Sequence, residues 1–179
     1  MDGVLLVAAT ERELCGHEGL ACGVGPVEAA AATARALLAD PPRAVLHVGI
    51  AGGRGLPPGT VVLGSTSLYC DLSARFPVVN RLEADPALLA AAGLALPDAL
   101  RLPIGTSAAV GSVPAEVVVE AMEGFGVLRA CALAGVPALE LRVISNEVGE
   151  EDRGRWDVPG ALAVLGGALP TALAALAVR

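Results

Sequence analysis

Three carboxylates and one amide in this chain stand where chemistry can be done. Glu11 and Glu13 follow the apolar run Gly3–Ala9 in "ATERE". A carboxylate beyond the carboxyl end of a strand can serve as a general base, although on this segment alone a solvated helix start is the plainer reading. Glu123, in "AMEGFGV", opens a helix that is otherwise apolar on most sides. The helix dipole favours a carboxylate there, and its two oxygens can also accept from a pair of neighbouring hydroxyls, such as those of a ribose. Asn146 follows Ser145 at the end of "VPALELRVIS", in a chain with one other asparagine. A polar residue at a strand end is ordinarily a cap, but an amide can also read the edge of a ligand.

Two glycine-rich turns occupy similar places. "GVGPVE" (23–28) departs from the G-x-G-x-x-G/A dinucleotide pattern at Glu28 and reads as a tight strand-to-helix turn. "VGIAGGRG" gathers Gly49, Gly52, Gly53 and Gly55 at a strand end. Glycines there let a ligand approach the backbone and its N–H donors.

The elements that must position these groups follow from the apolar pattern. Gly3–Ala9 reads as a buried strand, Ala21–Val24 as a short second one, and "GPVEAAAATARALLAD" as a helix with Pro26 in its first turn. Strands are expected at Ala44–Ile50 and Val61–Ser65, then a loop-rich middle (71–100) with a short helix at Pro86–Gly93. Leu102–Thr106 and Ala115–Val119 read as strands, "MEGFGVLRACALAG" as a helix ending at Gly135, "VPALELRVIS" as a strand, and Pro159–Val178 as the last helix. Alternating helices and strands with short links define an α/β class, with helices on both faces of a mostly parallel sheet and one domain over residues 1–179. In such sheets ligands bind at the carboxyl ends of the strands, where "ATERE", "GVGPVE", "GIAGGRG" and "SNEVG" all fall.

Composition excludes several chemistries. All 12 basic residues other than histidine are arginine, so Schiff-base, P-loop lysine and Ser-Lys mechanisms are absent. A net charge of -7 argues against nucleic acid as partner. The four cysteines form no CxxC pair and the two histidines no HxxxH pattern, so no metal or cofactor is expected and the thiols suit a reducing cytoplasm. "MDGVLLVAATERE" lacks the basic start of a signal peptide. The uncharged run 158–178 has the length of a membrane span. It is Ala-rich and interrupted by Gly166-Gly167 and Pro170, so a terminal helix packed on the sheet or on another subunit is expected, with no membrane.

In this order, "AATERE", "GVGPVEAA", "VGIAGG", "GTVVLGSTSLYCD", "MEGFGVLRACALAGVP" and "RVISNEVG" resemble the purine nucleoside phosphorylase/hydrolase superfamily, in particular its nucleosidase branch. "MEGFGV", "ISNEVG" and "DRGRWDVPGAL" look most like the futalosine hydrolases, which release hypoxanthine from futalosine on the way to menaquinone. The resemblance implies a three-layer α/β/α sandwich around a mixed, partly barrel-like sheet, assembled as a homodimer or larger. It implies that Glu13 activates the attacking water and that Glu123, after Met122, holds the ribose hydroxyls. Asn146, after Ser145, would contact N7 of the base. Gly52 and Gly53 would line the ribose side, and Trp156 would lie near the 5′ substituent, with Arg153 or Arg155 as neighbours for a carboxylate. Three features depart from the family pattern. The segment between Glu13 and Gly23 is short, Ala121 replaces a glutamate before "MEG", and the loop 106–114 is short.

The amide at 146 speaks to the base. Adenine offers N7 as acceptor and a 6-amino donor, which suits a protonated Asp; the adenosine-type nucleosidases carry "SD" at this point. Hypoxanthine offers two acceptors, N7 and O6, to which an Asn amide can donate. A mismatched buried donor or acceptor costs about 1–3 kcal/mol, so Asn146 favours a 6-oxopurine nucleoside. The glycine loops carry no cation before Arg54 to hold phosphate, which favours water as nucleophile. The competing readings are a methylthioadenosine/S-adenosylhomocysteine nucleosidase, a 6-oxopurine nucleoside phosphorylase and a catalytically degenerate nucleoside-binding protein.

Overall fold

The apolar run near the N-terminus forms β1 (Val4–Ala8). The computed structural model, which describes residues 3–177, pairs it in parallel with β3 (Ala44–Gly53). β2 (Leu20–Ala21) joins the outer edge of β1, and is shorter than the strand expected through Val24. The other edge of β3 carries β8 (Ala138–Glu147) in parallel, and β8 runs antiparallel to the start of β4 (Val61–Tyr69). β4 pairs in parallel with β6 (Leu100–Thr106), and β6 with β7 (Val119–Ala121). β7 then meets Gly52 and Gly53 of β3 in antiparallel register. The circuit β3–β8–β4–β6–β7 is therefore closed. Its interior is a small barrel filled by Ala51, Val62, Ile104, Val119, Ala121 and Ile144. β5 (Arg81–Glu83) extends β4.

Helices cover both faces of the open part of the sheet. α1 (Pro26–Ala39) and α3 (Gly124–Ala134) pack on Leu5, Val7, Val45 and Ala138. α2 (Pro86–Ala95) and α4 (Val158–Ala177) pack on Leu6, Leu46, Leu139 and Leu141. Consecutive residues of β1 thus enter opposite cores, which explains a continuous apolar run where a one-sided strand would alternate. The expected α/β/α layers and mixed, barrel-like sheet are present.

α4 is long and apolar enough to cross a membrane, but Ala161, Leu165, Leu169, Ala172 and Leu176 form a fully buried stripe within the fold. It runs unbroken through Gly166-Gly167 and Pro170. Burial of its leucines, roughly 2 kcal/mol each, offsets the roughly 3 kcal/mol cost of an interior proline. Val178 lies outside the described residues.

Two sequence expectations fail. The strand at Ala115–Val119 is absent: Val117 donates to Pro114 O in a turn, and Val113 and Val117 pack with Val148 in a separate cluster. The strand begins only at Val119, where side chains can enter the barrel. β5 went unseen because three residues with Arg81 and Glu83 outward give no period to read.

Candidate active site

The carboxyl ends of β1, β3 and β8 and the chain leaving β7 surround a cavity of about 310 Å³. After β1 a one-turn 3₁₀ helix, Glu11–Leu14, points Glu13 inward and leaves Glu11 exposed. One Glu13 oxygen, Oε2, accepts from the Thr10 N–H at 3.1 Å and the Thr10 hydroxyl at 2.8 Å. The other, Oε1, accepts from Ile50 N–H at 3.1 Å. The reach back to Thr10 is the carboxylate half of a capping box. Glu13 is therefore a buried, oriented acceptor rather than the solvated residue the segment alone suggests. Cys15 (φ 50°) and Gly16 (φ 82°) then turn the chain straight into β2, which is how the short segment before Gly23 is accommodated.

Glu123 occupies the N-cap position of α3 instead of lying in its first turn, and its side chain makes no capping bond to the helix. Its Oε1 accepts from Gly25 N–H at 3.0 Å, tying the "GVGP" turn to the cavity. Asn146 is placed by a bulge. Ala51 pairs with Ile144 and Gly52 with Asn146, so Ser145 is an extra residue in β8. The Ser145 hydroxyl lies 3.3 Å from Ala51 O and donates to Asn146 Oδ1 at 2.7 Å. Asn146 Nδ2 donates to Glu147 O at 2.9 Å. With Oδ1 committed to the serine and one N–H to the carbonyl, the remaining amide N–H is the donor available to a ligand.

Gly52, Met122, Glu123, Ser145, Asn146, Glu13 and Trp156 all line this cavity. Gly53 does not. A Cβ there would strike Ile144 at 2.9 Å, so its missing side chain serves packing inside the barrel. Trp156 follows a 3₁₀ turn at Arg153–Arg155 and is anchored by its Nε1–H donating to Glu150 O at 2.9 Å. The Arg153 guanidinium lies 5.3 Å from its ring and also lines the cavity; Arg155 instead pairs with Glu150 and Asp152.

Beneath the cavity lies a charged cluster that the sequence reading missed. Glu140, Arg142 and His47 are fully buried on the α1/α3 face of β8 and β3. Arg142 Nε donates to Glu140 Oε1 at 2.8 Å; its Nη2 contacts His47 Nε2 and stands 3.7 Å from Glu123 Oε2. Arg142 Nη1 has no acceptor among the described residues. It and Glu13 Oε1 pack over Gly49, where a Cβ would collide with both. Burial, then Arg142, lowers the His47 pKa well below its usual value. The neutral ring donates from Nδ1 to Val7 O, 3.0 Å away, and accepts from Arg142 at Nε2. Burial lowers the Arg142 pKa, but Glu140, Glu123 and Glu13 outweigh it and raise the guanidinium further. Glu120, also missed, accepts from the N–H groups of Gly111, Ser112 and Val113, folding the short loop toward the cavity. Burial and Glu123 push the nearby Cys22 thiol to about 11, which removes it as a nucleophile.

Comparison with known proteins identifies the family and the fold. Residues 15–176 match the family described as the Phosphorylase superfamily. The chain is 38% identical over 177 residues to the futalosine hydrolase of Streptomyces coelicolor, covering 84% of this chain and 75% of that one. It is 32% identical to the futalosine hydrolase of Thermus thermophilus, covering 87% and 80%. Among solved structures, a 5′-methylthioadenosine/S-adenosylhomocysteine nucleosidase from Colwellia psychrerythraea in complex with adenine superposes with a TM-score of 0.86 at 20% identity, covering 98% of this chain and 96% of that one. A futalosine hydrolase mutant of Helicobacter pylori gives 0.85 at 17% identity, covering 97% and 99%. At these identities the structures establish the fold, and the two sequence relatives narrow the assignment. The chain belongs to the phosphorylase superfamily and, within it, to the futalosine hydrolase family.

Proposed function

We propose that the chain is an N-glycosyl hydrolase that cleaves a 6-oxopurine nucleoside, with futalosine as substrate and hypoxanthine as the released base. The observation that carries this is the meeting, in one cavity, of a buried carboxylate at Glu13, a second at Glu123, and an amide at Asn146 whose free N–H is set by Ser145.

In the reaction the C1′–N9 bond breaks with its electron pair leaving on the base, and the ribosyl group becomes oxocarbenium-like. Water adds to C1′ from the opposite face while Glu13 takes its proton. The unpartnered Arg142 Nη1, which approaches Gly49 beside Glu13 Oε1, supports a second hold on that water. Glu123 accepts from the ribose hydroxyls and favours positive charge on the sugar. Asn146 donates to the N7/O6 edge. It transfers no proton, which a 6-oxopurine tolerates because its anion is the easier one to expel. Trp156, with Arg153 beside it, forms the wall for the 5′ substituent. The reading extends to a cytoplasmic homo-oligomer: the face of α4 away from its buried stripe is apolar and includes the exposed Val164.

The test is base release from futalosine, inosine and methylthioadenosine in phosphate-free buffer, followed by chromatography, for the wild type and Glu13→Gln. Hypoxanthine from futalosine, lost in Glu13→Gln with binding retained, is expected. Adenine from methylthioadenosine as the main product would replace this reading with the adenosine-type nucleosidase. Turnover only on adding phosphate would make the enzyme a phosphorylase.

A further inference from the structure

The cluster under the cavity holds three buried carboxylates, Glu13, Glu123 and Glu140, around one guanidinium. Glu140 does not line the cavity, yet it makes the tight pair: 2.8 Å to Arg142 Nε, against 3.7 Å between Arg142 Nη2 and Glu123 Oε2. The second distance is beyond hydrogen-bond reach. The fold goes to some length to keep Glu140 there. Its Oε2 has no partner among the described residues, an arrangement that burial penalises. Gly124 lies against the carboxylate, and a Cβ at that position would collide with both oxygens. Gly124 is helical, so its missing side chain is a matter of space rather than conformation.

We propose that Glu140 is a positioning residue that holds the Arg142 guanidinium off Glu123, so that the Glu123 carboxylate stays free for a vicinal diol of the substrate. The proposal rests on the placement of the ribose hydroxyls at Glu123 given above. Whichever carboxylate closes on Arg142 loses acceptor capacity to it. With Glu140 in place, the guanidinium is gripped at Nε by a carboxylate and at Nη2 by a neutral imidazole. Without that carboxylate the imidazole alone holds it, and the nearest anion to close on is Glu123.

The experiment measures binding, by calorimetry, of a non-hydrolysable C-nucleoside carrying a 6-oxopurine-like base and of its 2′-deoxy counterpart. The wild type should prefer the ribo ligand by about tenfold or more, the worth of a hydrogen bond to a charged group. Glu140→Gln should shrink that preference to below about threefold. Glu140→Gln/Arg142→Met, which removes the competing cation as well, should restore it. A loss of fold alone would lower the active fraction for both ligands equally and leave the ratio unchanged. A folded Glu140→Gln protein that keeps the wild-type preference overturns the proposal and leaves the function intact. If the single variant does not fold, the double variant decides, since it removes the tight Glu140–Arg142 pair as a unit: preference retained supports the proposal, and preference lost overturns it. A wild type with no ribo preference defeats the placement of the diol at Glu123, and the proposal falls with it.

Discussion

At the scale of single residues, the proposed function makes Asn146 the selector of the base. Its Oδ1 takes the Ser145 hydroxyl and its Nδ2 faces the Glu147 carbonyl. An ionised aspartate at 146 would set an oxygen against that carbonyl, so it must take up a proton or withdraw. Asn146→Asp should therefore lower kcat/KM for a 6-oxopurine nucleoside by about tenfold or more, and shift preference toward the 6-amino analogue. Paired kinetics on inosine and adenosine check it, and an unchanged ratio would remove Asn146 from base recognition. Glu13, Glu123 and Asn146 drew notice as polar residues beside apolar elements, but each segment alone also suited a structural role, and only the family resemblance joined them in one site. Glu140 and Arg142 drew none. Alternating charges in a strand read as a solvated face, and only the packing of α3 over β8 shows that face to be buried.

At the scale of elements, the bulge in β8 links strand geometry to chemistry. The extra residue at Ser145 lets Asn146 realign opposite Gly52, where a missing side chain leaves room for its amide. Ser145→Ala keeps the bulge but releases Oδ1, so the amide loses its fixed orientation. The expected outcome is a fall in kcat/KM of about fivefold, the worth of one neutral hydrogen bond, with the melting temperature little changed. A large drop in melting temperature with kcat/KM intact would assign Ser145 to the fold instead. No periodicity announces a bulge, and none announced the closure of the barrel. The long strands β3 and β8 were visible as apolar runs, but their ends, Ala51–Gly53 and Asn146–Glu147, read as loop because glycine and polar residues break the pattern. The site is built on those ends, which is why its residues were more legible than the backbone that carries them.

At the scale of the whole molecule, the buried cluster couples the site to folding through protons. The folded state holds His47 neutral, by burial first and Arg142 second, while the unfolded chain protonates it near 6.5. The stabilisation this represents is full above 6.5 and is lost as pH falls through that value, by at most roughly 1.4 kcal/mol per pH unit for one proton. Glu140 acts in the opposite sense. Burial, only partly offset by Arg142, raises its pKa, so the folded state takes up that proton more readily and gains as pH falls toward the carboxylate range. The two groups therefore act in opposite directions, and the His47 share is isolated by comparing the wild type with a variant that lacks the imidazole. Between pH 7.5 and about pH 5.5, urea midpoints should fall more, or rise less, for the wild type than for His47→Gln, even though that variant begins lower after losing the Val7 and Arg142 contacts. Parallel curves would mean that His47 enters the folded state with its proton. The imidazole would then repel Arg142 rather than accept from it, and the clamp around the guanidinium would have a different origin.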